Sequence, residues 1–517
     1  MRLYKYLLSI FCFTLQFIPV ISQTVTSQPV IQTEPKREFR GVWIASVVNL
    51  DWPQNARATA EQQKKDLTDQ LNSHQQTGIN AIMFQVRPAA DALYAKSREP
   101  WSKYLTGTQG QAPTPFYDPL EFATTEAHKR GMELHAWFNP YRATFDGRFN
   151  TLAANHITRL HPDWFFIYEG IKLFNPGLPE VREYIVQVIL DVVKNYDVDG
   201  IHMDDYFYPY PAKGQVINDA DAYAKYGEAF DDVRDWRRDN VDKLVQMLGD
   251  SIHKYKPNMK FGVSPFGIWA NIRQNPEGSE TAGGSSYYEN FADSRKWIKE
   301  GWIDYINPQI YWQINHRQAA FDKLLNWWSL NTYNRHLYIG QAPYRFYEPR
   351  SPAYKNPSEI PNQLRLIRAN PRVQGSVYFR SLNLVANANH LADSLKKDFY
   401  RYPALPPPML WLDSIPPNAP QNFAGRIERK SIMLTWAPPL PAKDNEPVYG
   451  YVVYRFQESE KFDLGDPRNI ISIQYNTQPV YLDTNVLPGK TYFYVVTALD
   501  RLKNESERTP TIAITSP

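Results

Sequence analysis

Between residues 38 and 400 short apolar β-type runs alternate with helical stretches, eight of each. That alternation restricts the fold more than any other feature of the chain. Parallel strands cannot be joined by a tight turn, so a repeated strand–helix unit builds one parallel sheet with helices over it. The expected strands are FRGVWIAS (39–46), INAIMFQV (79–86), MELHAWFN (132–139), VDGIHMDD (198–205), KFGVSPFG (260–267), IDYINPQIYW (303–312), HLYIGQAPY (336–344) and GSVYFRSL (375–382). Helices are expected over 59–76, 118–130, 179–195, 232–254, 289–300, 317–330, 358–369 and 387–398. Eight pairs fit a closed (β/α)8 barrel. A doubly wound open sheet is the alternative, and the count favours closure.

Side-chain parity carries the reading toward a site, because alternate residues of a barrel strand face the interior. His202 and Asp204 share a face on strand four, as do Gln85 and Arg87 on strand two, His135, Trp137 and Asn139 on strand three, and Asn307, Gln309 and Tyr311 on strand six; strand five adds Ser264. In each case the polar parity gathers toward the carboxyl end, where the catalytic groups of such barrels stand. The sharpest segment is DGIHMDDYFYP (199–209), in which an apolar-flanked strand runs into paired carboxylates and then Tyr206, Phe207 and Tyr208, with Tyr210 following. Two carboxylates are what glycosidic hydrolysis uses, one to give a proton and one to steady positive charge, while aromatic faces accept sugar rings. A helix N-cap and solvated turn would use Asp equally well, and hydrogen-bonded core groups would explain any single strand. Four strands with the same polarity favour a site.

Composition sets limits around this. A chain of 517 residues exceeds one ordinary core, so more than one domain is expected. The 57 basic and 54 acidic residues nearly balance, which does not make the concentrated basic face of a nucleic-acid binder. The aromatic fraction of 14% suits carbohydrate stacking, although buried rings account for much of it. At the N-terminus Arg2 and Lys5 precede an apolar run, and Val20 and Ser22 stand before a cut at Gln23, the pattern of a secretory signal over 1–22. A retained anchor is less fitting because Gln16 and Pro19 break the run, and no lipoprotein box precedes Cys12. Cys12 is the single cysteine, so cleavage leaves no disulfide, zinc–thiolate or thiol chemistry. Export to the periplasm or cell surface is expected, with no membrane span in the mature chain.

A polar stretch covers 23–37 and the barrel 38–400. Residues 401–420 form a proline-rich connector, expected to be stiff and extended. Residues 421–517 are β-rich and resemble a fibronectin type III domain, with Trp436 as the core tryptophan and Leu487, Pro488, Gly489 and Tyr492 matching the tyrosine-corner pattern. Such a module is expected to dock to the barrel or to another envelope component.

Within the site, Asp204 has the inward parity and is the expected nucleophile or charge stabiliser. Asp205 would orient it, bind a hydroxyl, or take over its role if the chain twists. Strands five and six offer no proton donor, so the acid must come from a loop. Glu348 is the foremost candidate, with Asp51 and Asp91 as further ones.

The segments FRGVWIASVVNLDWP (39–53), GINAIMFQVRPAADALY (78–94), EAHKRGMELHAWFNPYR (126–142), VDGIHMDDYFYP (198–209), FGVSPFGIW (261–269), DYINPQIYW (304–312) and YIGQAPYRFYEP (338–349) resemble, in order, the bacterial glycosyl-hydrolase-like barrel family once catalogued as a domain of unknown function. The likeness extends to a divisome-associated glycosidase of peptidoglycan strands stripped of stem peptides. It implies a polymer of N-acetylglucosamine and N-acetylmuramic acid as substrate, and places the family's essential glutamate on Glu348. By that implication Arg87 and Arg142 would hold the lactyl carboxylate. Trp43, Trp137, Tyr206, Tyr208, Trp269 and Trp312 would line subsites with Gln85, Asp91, His135, Asn139, His202, Ser264, Gln309, Tyr311 and Tyr344. No cofactor and no metal ligand is assigned. The competing readings are a metal-dependent carbohydrate deacetylase, with His135, His202, Asp204 and Asp205 around a cation, and a non-catalytic glycan-binding protein.

Overall fold

Strand β1 (Phe39–Ile44) is buried at all six positions, and β2 (Ala81–Arg87) and β3 (Glu133–Phe138) are equally covered. Both faces of each strand are therefore enclosed, as in a parallel sheet wrapped by helices. A computed structural model describes residues 34–349, 351–458 and 461–517, so the expected leader over 1–22, Cys12 and most of the polar stretch lie outside the described residues. Strands β4 (Gly200–Met203), β5 (Lys260–Val263), β6 (Tyr305–Ile306), β7 (His336–Gln341) and β8 (Gly375–Tyr378) complete a closed parallel barrel in which neighbours follow chain order. Closure is direct: Phe39 to Val42 of β1 pair with Gly375 to Tyr378 of β8. No helix among the described residues is long and apolar enough to cross a membrane.

Outer helices include α1 (Ala60–Thr77), α2 (Pro119–His128), α3 (Pro179–Asn195), α4 (Val233–Tyr255), α5 (Ser294–Lys299), α6 (Phe321–Ser329) and α7 (Glu359–Ala369). Local chemistry sets their ends. Thr59 caps α1 by accepting from the Gln62 N–H, and Gly78 stops it at φ +88°, a left-handed conformation that costs a Cβ-bearing residue energy. In α3, Val181, Ile185, Val188, Ile189 and Val192 are buried on one face, and each contributes roughly 1.5–3 kcal/mol by leaving water.

The barrel interior is a polar column sheathed in rings. The indole N–H of Trp43 can only donate, so the Nε2 of His202, 3.1 Å away, accepts. Neutral His202 then donates from Nδ1 to the Tyr305 hydroxyl at 3.0 Å. Tyr305 donates to His135 Nδ1 at 2.9 Å, and His135 Nε2 donates to Glu133 at 3.2 Å. Lys260 closes the lower end on Glu133 at 2.6 Å. Room for the column comes from Gly200 and Gly262, where a Cβ would lie 2.5 Å from the His135 ring and 2.2 Å from the Tyr305 ring. Phe39 stacks on Tyr338 beside it with centroids 3.9 Å apart.

Two of the expected elements show why the structure departs from the sequence reading. The sixth strand shrinks to Tyr305–Ile306, because Pro308 lacks an amide hydrogen; beyond it Gln309 makes only isolated bridges to Phe266 and Gly340. The eighth helix breaks into short turns, since Asn387, Asn389 and His390 all take positive φ.

The connector is extended, and it is anchored to the barrel base. Leu405 and Met409 are fully buried, Leu405 exchanges main-chain hydrogen bonds with Lys36 and Glu38, and Trp411 donates to Asp304 at 2.9 Å. After it come β9 (Gln421–Glu428), β10 (Ser431–Ala437), β11 (Gly450–Gln457), β12 (Ile470–Gln474), β13 (Val480–Asp483), β14 (Thr491–Leu499) and β15 (Ile512–Thr515). They form two antiparallel sheets, ordered β9-β10-β13 and β12-β11-β14-β15. Trp436 packs on Tyr451 in the core, and the Leu487 N–H donates to the Tyr492 hydroxyl at 3.0 Å, the tyrosine-corner contact. The turn after β14 reaches the barrel base. There Lys503, fully buried, lies 3.3 Å from Glu133, and Arg501 pairs with Asp197 and Asp199 at 2.7 and 3.1 Å.

Candidate active site

At the carboxyl ends of the strands a cavity of about 510 Å³ opens above the column. The turn after β4 puts both Asp204 and Asp205 in its wall, although they are consecutive residues. Regular strand pairing ends at Met203, so the alternation that would turn Asp205 away no longer holds there. Of the residues expected at the site, Trp43, Gln85, Trp137, Asn139, Arg142, Tyr206, Ser264, Gln309, Tyr311, Trp312 and Tyr344 also line the cavity, as does Tyr210.

Each carboxylate is held differently. Asp204 accepts from the Asn139 side-chain amide, whose own oxygen takes a hydrogen bond from Gln85 at 2.6 Å; Gln85 in turn accepts from the Ser46 and Val47 main-chain N–H groups at 2.8 and 2.9 Å. This relay ties Asp204 to the loop after β1. Asp205 accepts from Gln309 at 2.9 Å and from the Tyr210 hydroxyl. Burial, and then the neighbouring Asp205 charge, pushes Asp204 up to about 7, opposed by the Arg142 guanidinium. Asp205 is raised too, chiefly by burial, but its two donors favour its charged form. Of the two, Asp204 is the one that favours the proton and Asp205 the one whose donors favour the charge.

Cations and rings complete the wall. Arg142 lies over Tyr206 at 4.4 Å and Phe145 at 5.4 Å. Arg345 also lines the cavity, and the Ser264 hydroxyl, in the wall, has no hydrogen-bond partner among the described residues. Phe145, Phe266, Arg345 and Phe379 also line the wall, outside the sequence expectation. Phe266 shares the parity of Ser264 and Phe379 that of Val377 within the expected strands, but an apolar side chain gives no polar signal there. Arg345 stands three residues before Glu348 in the same segment.

Several expected residues lie elsewhere. Arg87 is fully buried in a bidentate pair with Glu99 at 2.6 and 2.7 Å, because the register shifts between Gln85 and Arg87 and takes it off the interior face. His135 and His202 belong to the column below the floor, so they do not gather with Asp204 and Asp205 around a cation. Asp91 faces a separate void of about 20 Å³ near Gln109, where burial raises it to about 6. Asp51 clamps Ala45, Arg380 and Leu382 and is fully buried. Tyr208 is buried against Phe291, Phe207 against Trp297, and Trp269 donates to Asp293 while stacking on Trp327. Glu348 caps the turn Pro343–Tyr347 that carries Tyr344 and Arg345 into the wall, but it is not itself a wall residue; its carboxylate pairs with Arg345 at 2.8 Å and accepts from Ser351 at 3.0 Å.

Comparison with known proteins follows the same outline. The family model described as "Glycosyl hydrolase-like 10" matches residues 38–356. "Glycosyl hydrolase YngK" of Bacillus subtilis (strain 168) is 43% identical, covering 94% of this chain and 96% of the relative. "Glycosyl hydrolase DigH" of Escherichia coli (strain K12) is 38% identical, covering 68% of this chain and 85% of the relative.

Proposed function

Because the chain belongs to the glycosyl hydrolase-like 10 family, we propose that it is a glycoside hydrolase whose reaction takes place at Asp204 and Asp205. One observation carries the reading: two buried carboxylates of unequal proton affinity share a cavity of about 510 Å³ walled by aromatic rings. Asp204, holding the proton, donates to the leaving glycosidic oxygen; Asp205, charged and held by Gln309 and Tyr210, steadies the oxocarbenium-like centre. Water then adds to the anomeric carbon and returns its proton to Asp204. These roles differ from those expected from the sequence, in which parity makes Asp204 the anion and the loop after strand seven supplies Glu348 as the acid. Glu348 retains a place at the rim by holding Arg345.

The substrate we propose is the peptidoglycan glycan strand lacking stem peptides. Support comes from the family resemblance and from Arg142 and Arg345, which would meet the lactyl carboxylate of muramic acid in the cavity. The free Ser264 hydroxyl suits a sugar hydroxyl. Incubation with amidase-treated and with intact peptidoglycan, followed by mass analysis of released sugars, tests this. Products from stripped strands alone support it, and none from either removes it. The N-terminal pattern supports export, checked by fractionating cells that express the full chain. A glycan-binding protein is the second reading, favoured by the aromatic wall alone; it predicts that Asp204→Asn leaves function intact.

A further inference from the structure

Away from the cavity, carboxylates from three segments meet at the junction of connector, sandwich and barrel. Asp413 comes from the connector, Glu446 from the loop between β10 and β11, and Asp500 from the turn after β14; one oxygen of each lies within 4.8 Å of the others. Like charges at that range repel, and such a cluster ordinarily recruits a Lys or Arg. Here the nearby cations are turned elsewhere, Arg501 to Asp197 and Asp199 and Lys503 to Glu133. The remaining neighbours position the acids without neutralising them. The Asn504 N–H donates to Asp500 Oδ1 at 2.8 Å, Asn258 of the barrel donates to Glu446 at 2.9 Å, and the Ile415 N–H donates to Asp413 at 2.9 Å. A second observation points to a ligand. Asp500 is only 2% exposed, and its Oδ2 has no hydrogen-bond partner among the described residues. A buried acceptor left bare costs roughly 1–3 kcal/mol unless something meets it.

We propose that Asp413, Glu446 and Asp500 bind a divalent cation, and that calcium is the ion they suit. The donors are hard carboxylate oxygens, with no imidazole or thiolate among them, which favours calcium, magnesium or manganese over zinc or copper. Ligands gathered from three segments match calcium's irregular shell, completed by water, whereas magnesium demands a near-ideal octahedron. The ion ties the connector to the sandwich beside Asn258 and takes no part in the glycan chemistry.

Isothermal titration of CaCl2 into the full, chelator-treated protein, with MgCl2 as comparison and thermal unfolding in EDTA and in calcium, tests the proposal. The expected result is saturable calcium binding with Kd at or below ~1 mM, a weaker response to magnesium, and an unfolding midpoint that rises with calcium. Glu446→Gln and Asp500→Asn keep side-chain shape and are expected to weaken binding by at least ~10-fold. Absence of saturable heat and of any calcium-dependent midpoint shift in the unaltered protein overturns the proposal. Unchanged calcium binding in both variants overturns it equally, and if neither variant folds, the titration of the unaltered protein decides.

Discussion

Gln309 donates to Asp205 at 2.9 Å from the end of a strand that Pro308 cuts short. The amide reaches the acid because the sixth strand stops pairing there and Gln309 is held by single bridges to its neighbours. Gln309 and Tyr210 together favour the charge on Asp205, while burial beside that charge favours the proton on Asp204.

Leaving-group dependence distinguishes the acid. Asp204→Asn is expected to lower turnover on glycan by ~10²–10⁴-fold and to recover much of the loss on an aryl glycoside whose leaving group needs no protonation. Glu348→Gln is expected to lower turnover equally on both substrates, through release of Arg345. If Glu348→Gln shows the recovery instead, the acid is Glu348.

Activity should fall as pH rises through about 7, where Asp204 loses its proton. Stability follows the same sign. A carboxyl raised above its unfolded value of ~3.9 makes the native state bind more protons, so its contribution is present at low pH and lost as pH rises to about 7. Asp204→Asn removes that dependence and should raise stability at pH 8, on the order of a few kcal/mol, with little change at pH 4. Equal midpoint shifts at both pH values would contradict this.

The column in the barrel predicts histidine tautomers. His202 is held neutral by burial, and nitrogen-15 NMR should show its proton on Nδ1. Tyr305→Phe strips the partner from Nδ1 of both His202 and His135, and each orphan is expected to cost roughly 1–3 kcal/mol in guanidinium unfolding. A loss below ~0.5 kcal/mol would show that the hydroxyl is not the link.

Lys503→Met tests the seam between the domains. Lys503 and Glu133 are both fully buried and lie 3.3 Å apart, and removing one partner of such a pair typically costs ~3–5 kcal/mol. Glu133 keeps Lys260 at 2.6 Å, and Glu133→Gln in turn deprives both lysines of their anion, so the double variant should lose less than the sum of the two single losses. Additive losses in the double variant would show that the two groups do not interact.

Much of the barrel is legible in the chain because strands enclosed on both faces carry apolar runs, Val42 to Ile44 in β1 and Ala81 to Phe84 in β2, with helical stretches between them. Parity finds Asp204, Trp137 and Gln309; it also covers Phe266 and Phe379 within the expected strands, but their apolar side chains give no polar signal there. It fails at Arg87, where one irregularity in the ladder reverses the face. It also fails for His135 and His202, whose inward parity is right but whose depth is not: pattern gives direction and says nothing of height along the axis. Asp413, Glu446 and Asp500 are separated by long stretches of sequence, so only tertiary packing brings them together.

Lys503 against Glu133 has a consequence for the making of the chain. Synthesis runs from the N-terminus, and residues 38–400 leave the ribosome well before residue 503 does. Until then the nascent barrel holds Glu133 with Lys260 as its one Lys or Arg partner among the described residues. The barrel's base is completed by a residue made about a hundred positions after its last strand and helix.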